Sequence, residues 1–140
     1  MTIAEVSRQY DISPDTLRYY ERIGLIPPVH RTSGGIRDYT PEDCKWVEFC
    51  KCMRGAGLTI EALIEYVSLV QQGDGTMQAR LELLTEQRRL LKERIAEMES
   101  TLARLDKKIA MYHEKCTGPC CESFPQSDGA EASAPNGQHA

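Results

Sequence analysis

The stretch IAEVSRQYDISPDTLRYYERIGLIPP, residues 3–28, reads as two short helices joined by a tight turn. Ile3, Val6 and Tyr10 recur at i, i+3 and i+7, the spacing that sets three apolar side chains on one helical face. After Asp11, Ser13 offers a side-chain oxygen to the unpaired N–H groups of a second helix, and Pro14 suits its first position, where a missing N–H costs nothing. Gly24 ends that helix, because Leu25-Ile26-Pro27-Pro28 cannot continue it. Either Leu17 or Tyr19 is expected to point inward. The pattern predicts a helix-turn-helix.

Outward from it, Ser33-Gly34-Gly35 lies between the short arms Arg31-Thr32 and Ile36-Arg37-Asp38-Tyr39, as in a small hairpin or wing. Alternation along the second arm pairs Arg37 with Tyr39 on one side and Ile36 with Asp38 on the other. Thr40-Pro41 repeats the cap-proline start for a helix to Gly55, and Thr59 caps another that runs through Leu63, Ile64, Val67 and Val70 to Gly73. Beyond it the period changes to seven. With Leu81, Arg88, Ile95, Leu102 and Ile109 as one series and Leu84, Leu91, Met98, Leu105 and Tyr112 as the other, nine of ten positions are apolar, a coiled-coil seam. Such a helix is roughly 50 Å long at about 1.5 Å per residue. Its stripe needs a partner in water, most simply the same helix of a second copy, the alternative being a fold-back onto its own N-terminal domain.

The expected fold class is therefore all-α with a small β wing: a winged helix-turn-helix domain over residues 1–73, a dimerisation coiled-coil helix over 74–113 and a cysteine-containing tail over 114–140. Residues 122–140 hold one large apolar side chain and are expected to be disordered. The first residues have no apolar segment of the signal-peptide kind and no later run approaches a membrane span, so a cytoplasmic protein is expected, and no membrane partner. The net charge of −4 does not by itself point to nucleic acid. Residues 18–54, however, carry Arg18, Arg22, Arg31, Arg37, Lys45, Lys51 and Arg54 against five acids, which allows a local basic surface.

Six cysteines in a reducing compartment are free, metal-bound or reactive more readily than disulfide-linked. Three lie in one predicted helix, as Cys44, Cys50 and Cys52. At about 100° per residue, Cys50 and Cys52 are about 200° apart and cannot hold one metal together on an intact helix. Trp46, Phe49, Cys50 and Met53 form an i, i+3, i+4, i+7 stripe that makes Cys50 a core thiol, with Cys44 on the side away from it. Cys52 falls off the stripe, with Lys51 and Arg54 near it in the chain, a setting that favours the thiolate.

The opening stretch, with SGGIRDYTPEDCKWVEFCKCMRGAGLTIEALIEYV and the heptad helix, resembles a bacterial MerR-type transcriptional regulator. The motifs are TLRYYE-x-x-GLI-x-P and R-x-Y, and the likeness covers residues 1 to about 112. It implies antiparallel pairing of two long helices in a homodimer. It also implies binding to double-stranded promoter DNA, whose spacer is bent and untwisted for RNA polymerase, and an effector that favours the distorting conformer. Carried over, Ser13, Thr16 and Arg18 face the major groove at the start of the recognition helix, while Tyr20, Arg31, Arg37, Tyr39 and Arg54 match backbone contacts.

The wording RDYTPEDCKWVEFCKCMRGAGL is most similar to the aldehyde- and nitrosative-stress-responsive branch of that family, whose single reactive cysteine in this helix aligns with Cys52. No cofactor is expected on that reading. The alternative is a metal-responsive regulator in which His113, Cys116, Cys120 and Cys121 bind Zn(II) or Cu(I). Against it, GDGTMQAR at the start of the long helix has neither Cys nor His. An enzyme reading fails for want of an arranged base near Cys52, and a coiled-coil adaptor leaves the wing and caps without a purpose.

Overall fold

The computed structural model describes residues 1–117 of the chain. Helix α1 spans Ile3–Tyr10 and α2 spans Pro14–Ile23. Thr2 and Glu5 close a reciprocal capping box at the start of α1, with the Thr2 N–H donating to Glu5 Oε1 at 2.8 Å and the Glu5 N–H donating to Thr2 Oγ1 at 3.2 Å. The turn between the helices depends on Asp11 in the left-handed region (φ 54°) and on Ser13, whose Oγ accepts the Thr16 N–H at 3.1 Å. Gly24 ends α2 at φ 87°, where a Cβ would be strained.

The wing is minimal. Arg31 and Arg37 form one antiparallel bridge, closed by Thr32 N–H to Ile36 O at 2.8 Å and Gly35 N–H to Thr32 O at 2.9 Å, and no longer strand occurs among the described residues. Beyond it, the Tyr39 N–H donates to Met1 O at 2.7 Å, so the end of the wing is tied back to the chain before α1. Thr40 and Asp43 make a second capping box for α3, Pro41–Gly55, and Thr59 caps α4, Ile60–Gln71.

These elements surround one core containing Val6, Ile12, Leu17, Leu25, Ile26, Val29, Tyr39, Val47, Leu58 and Leu63. Leu17 is the inward residue of α2, whereas Tyr19 stays exposed beneath the Arg22 guanidinium. Helix α3 departs from the expected pattern. Its fully buried row is Cys44, Val47 and Cys50, and Trp46, Phe49 and Met53 form a half-buried row beside it. Cys44, expected to face away from the core, is thus a core residue. The reason is that α3 buries two adjacent rows, one in the main core and one where the Trp46 and Phe49 rings meet Tyr66 of α4 at centroid distances of 5.9 and 5.6 Å.

A single 3-10 turn, Asp74–Thr76, leads into α5, Met77–Thr117. The corner is fastened by Thr76 Oγ1, which donates to Leu69 O at 2.6 Å, and by Arg80 Nη2, which donates to Gly73 O at 2.6 Å. The chain forms two compact units, Met1–Glu93 and the residues from Arg94 on. In the first, Leu81 and Leu84 of the heptad series are exposed and Leu91 is half-buried. In the second, Ile95, Met98, Leu102, Leu105, Ile109 and Tyr112 are 43–72% exposed. No described helix is long and apolar enough to cross a membrane.

Burial of the Cys50 thiol at 1% exposure gives the first expected outcome. Cys50→Ser places a hydroxyl in an apolar setting and is expected to lower unfolding stability by about 1–3 kcal/mol. An unchanged urea midpoint would contradict the core assignment.

Candidate nucleic-acid interface

The first turn of α2 presents the residues expected at the major groove. Ser13 Oγ donates to Thr16 Oγ1 at 2.9 Å as well as capping the helix, and Arg18 Nη1 pairs with Asp15 Oδ1 at 2.8 Å. The Arg18–Asp15 pair is exposed and i, i+3, so it orients the guanidinium at little cost to leaving it. Tyr20, further along α2, is half-buried and packs against the core, and burial raises its phenol above the ordinary tyrosine value.

The strongest polar arrangement lies between α2 and the wing. Glu21 Oε1 accepts from Arg37 Nε at 2.7 Å and stands 4.0 Å from Arg31 Nη2, while its Oε2 accepts the Val29 N–H at 2.9 Å. Arg31 is held a second time by donation from Nη1 to Gly35 O at 2.9 Å. One carboxylate therefore joins the recognition helix, the segment after it and both arms of the wing. Charge-assisted bonds of this kind are about twice as strong as neutral ones, which accounts for a carboxylate so little exposed.

Two expected contacts are placed differently. Tyr39 is 2% exposed and belongs to the core, its hydroxyl without a hydrogen-bond partner among the described residues. Burial pushes its phenol pKa up, with the nearby Arg37 charge opposing. The alternation of the wing arm explains this: Arg37 and Tyr39 share one side, Ile36 takes the outer one, and Tyr39, at the end next to α3, falls over the core. Arg54 is exposed, yet its Nη1 donates to Leu58 O at 2.7 Å, so it also closes the loop after α3.

Among the thiols, Cys44 and Cys50 are buried and Cys52 is exposed. Burial raises the thiol of Cys44 and pushes that of Cys50 up to about 11, the Arg54 charge opposing the latter. Both stay protonated near neutral pH, the unreactive form. Of the tail cluster, His113 and Cys116 lie one turn apart on α5, with Cys116 exposed, whereas Cys120 and Cys121 lie outside the described residues. No group of three His, Cys, Asp or Glu placed to hold a metal occurs among the described residues.

Sequence reasoning passed over Glu21. A signal was present: it is the one acid within the run Arg18 to Arg37, one turn after Leu17, so it stands at the edge of the buried face.

Comparison with known proteins agrees with this geometry. Residues 1–69 match the MerR HTH family regulatory protein model, and residues 45–108 match the model described as MerR, DNA binding. The chain is similar to the HTH-type transcriptional regulator AdhR of Bacillus subtilis, 58% identical over 93 residues, a match spanning 66% of each chain. A crystal structure of a MerR family transcriptional regulator from Listeria monocytogenes superposes with a TM-score of 0.83 at 46% identity, covering 92% of this chain and 97% of that one. The structure of HiNmlR, described as a MerR family regulator lacking the sensor domain and bound to promoter DNA, superposes with a TM-score of 0.74 at 32% identity, covering 83% and 91%. With its winged helix-turn-helix and long C-terminal helix, the chain belongs to the MerR family of DNA-binding transcriptional regulators, proteins that act on transcription and are not enzymes.

Proposed function

We propose that the protein works in the cytoplasm as a homodimer that distorts promoter DNA for RNA polymerase, and that addition of a reactive aldehyde or related electrophile to Cys52 switches it. The observation that carries this reading is the division of thiols on α3, where Cys52 is exposed and Cys44 and Cys50 are enclosed. Of the three thiols on α3, Cys52 is the one an electrophile arriving from solvent can reach. Similarity to AdhR supports an aldehyde as the effector class. HiNmlR is described as lacking a sensor domain, and this chain covers 91% of it, so a sensing group within the DNA-binding half suits the same plan.

The chemistry is self-contained. The Cys52 thiolate attacks the carbonyl carbon, an S–C bond forms, the C=O π pair moves to oxygen, and oxygen takes up a proton to give a hemithioacetal. No oxidant is consumed. The added group lies near the end of α3, next to the loop to α4, and changes packing there, which biases the conformer that distorts DNA. Cys52→Ser is expected to leave DNA binding intact and to abolish aldehyde-dependent transcription in a purified system. Removing residues 116–140 is expected to spare the response. A response lost with those residues and kept in Cys52→Ser would instead favour the Zn(II) or Cu(I) reading at His113, Cys116, Cys120 and Cys121.

The heptad series on α5, exposed apart from the half-buried Leu91, supports dimerisation. Leu81, Leu84, Leu91, Ile95, Met98, Leu102, Leu105, Ile109 and Tyr112 repeat at heptad positions, and a second copy of the helix would cover them. Replacing Leu91 and Met98 together by Glu sets four like charges in a two-helix core and is expected to give a monomer by sedimentation. An intact dimer at micromolar concentration would refute the seam.

A further inference from the structure

We propose that Glu21 is a positioning residue for DNA binding, which orients Arg37 and Arg31 toward phosphate and so strengthens DNA binding although its own charge opposes it. This rests on the reading of Arg37 as a phosphate contact. A carboxylate on a surface meant for DNA repels phosphates, and by charge alone its removal tightens binding. Glu21 nevertheless occupies the space between the recognition helix and the wing, with 12% side-chain exposure.

Its three partners explain what it does. The bond from Arg37 Nε at 2.7 Å uses the inner edge of the guanidinium, and the two terminal nitrogens make no protein hydrogen bond among the described residues. Arg31 is held between Glu21 at 4.0 Å and Gly35 O at 2.9 Å. Val29 N–H, at 2.9 Å, fixes the carboxylate against the segment that leads into the wing. An arginine side chain loses more rotamer entropy on ordering than almost any other, and a guanidinium already ordered loses less when it meets phosphate.

The test uses the full-length protein with two duplexes: one recovered by selection from random-sequence DNA, and an unselected pool of the same length. Glu21→Gln keeps the size of the side chain and removes the charge. Its affinity is expected to fall on the order of tenfold for the selected duplex, the scale of one charge-assisted hydrogen bond, and to fall for the pool as well, since a phosphate contact carries no sequence information. In an Arg37→Ala background the same substitution is expected to cause a much smaller loss, the part that passes through Arg31. Thermal melting of each variant confirms that it is folded, and the double variant has no unpaired Arg37 charge to disturb the fold.

Tighter binding of Glu21→Gln to the selected duplex, or no change, would overturn the inference. An equal loss in both backgrounds would also overturn it, since Glu21 would then act on the fold and not through Arg37. If Arg37→Ala alone binds both duplexes like the unaltered protein, the phosphate reading of Arg37 fails and the inference fails with it.

Discussion

Helix α3 buries two adjacent rows of side chains, and that constraint governs much of the molecule. Cys44, Val47 and Cys50 enter the core shared with α1, α2 and the wing, while Trp46, Phe49 and Met53 form the second row, whose rings meet Tyr66 of α4. A helix covered over so wide an arc has a narrow strip left for solvent. Lys45, Glu48 and Cys52 lie on that strip. The exposure of one thiol beside two enclosed ones is thus a consequence of packing. For the two enclosed thiols, ionisation costs desolvation, which holds both above the ordinary thiol range.

The same domain reconciles a net charge of −4 with DNA binding. Affinity for phosphate depends on the local field, and Arg18, Arg31, Arg37 and Arg54 lie on α2, the wing and the end of α3. Each is held by an acid or a carbonyl: Arg18 by Asp15, Arg37 and Arg31 by Glu21, Arg54 by the Leu58 carbonyl. The surface is consequently less positive than a count of its arginines implies. What it gains is geometry, because guanidinium groups held at defined points lose less entropy on meeting an anion.

Much of this was legible in the sequence. Ser13, Thr40 and Thr59 at the helix starts and Gly24 at the end of α2 act through local hydrogen bonds or one backbone angle, so spacing alone reveals them. The heptads of α5 are equally local. Cys44 and Tyr39 were misplaced because their burial depends on what lies across from them: Met1 and Tyr10 for the thiol, and α2 for the phenol. Glu21 escaped notice because its partners Val29, Arg31 and Arg37 lie 8 to 16 residues away, a separation that helical periodicity does not relate. The wing was recognised from Ser33-Gly34-Gly35, yet its pairing amounts to one bridge, since the turn and the Glu21 contacts hold it with little ladder.

The central claim is that addition at Cys52 is converted into a change in DNA shape. It is tested most directly by energy transfer between dyes at the two ends of a promoter duplex bound by the full-length protein. The account predicts that aldehyde shortens the end-to-end distance with the unaltered protein, by bending the spacer, and leaves it unchanged with Cys52→Ser, at equal occupancy of the DNA. A distance that aldehyde does not alter in the unaltered protein, or that shortens equally without the Cys52 thiol, would contradict it.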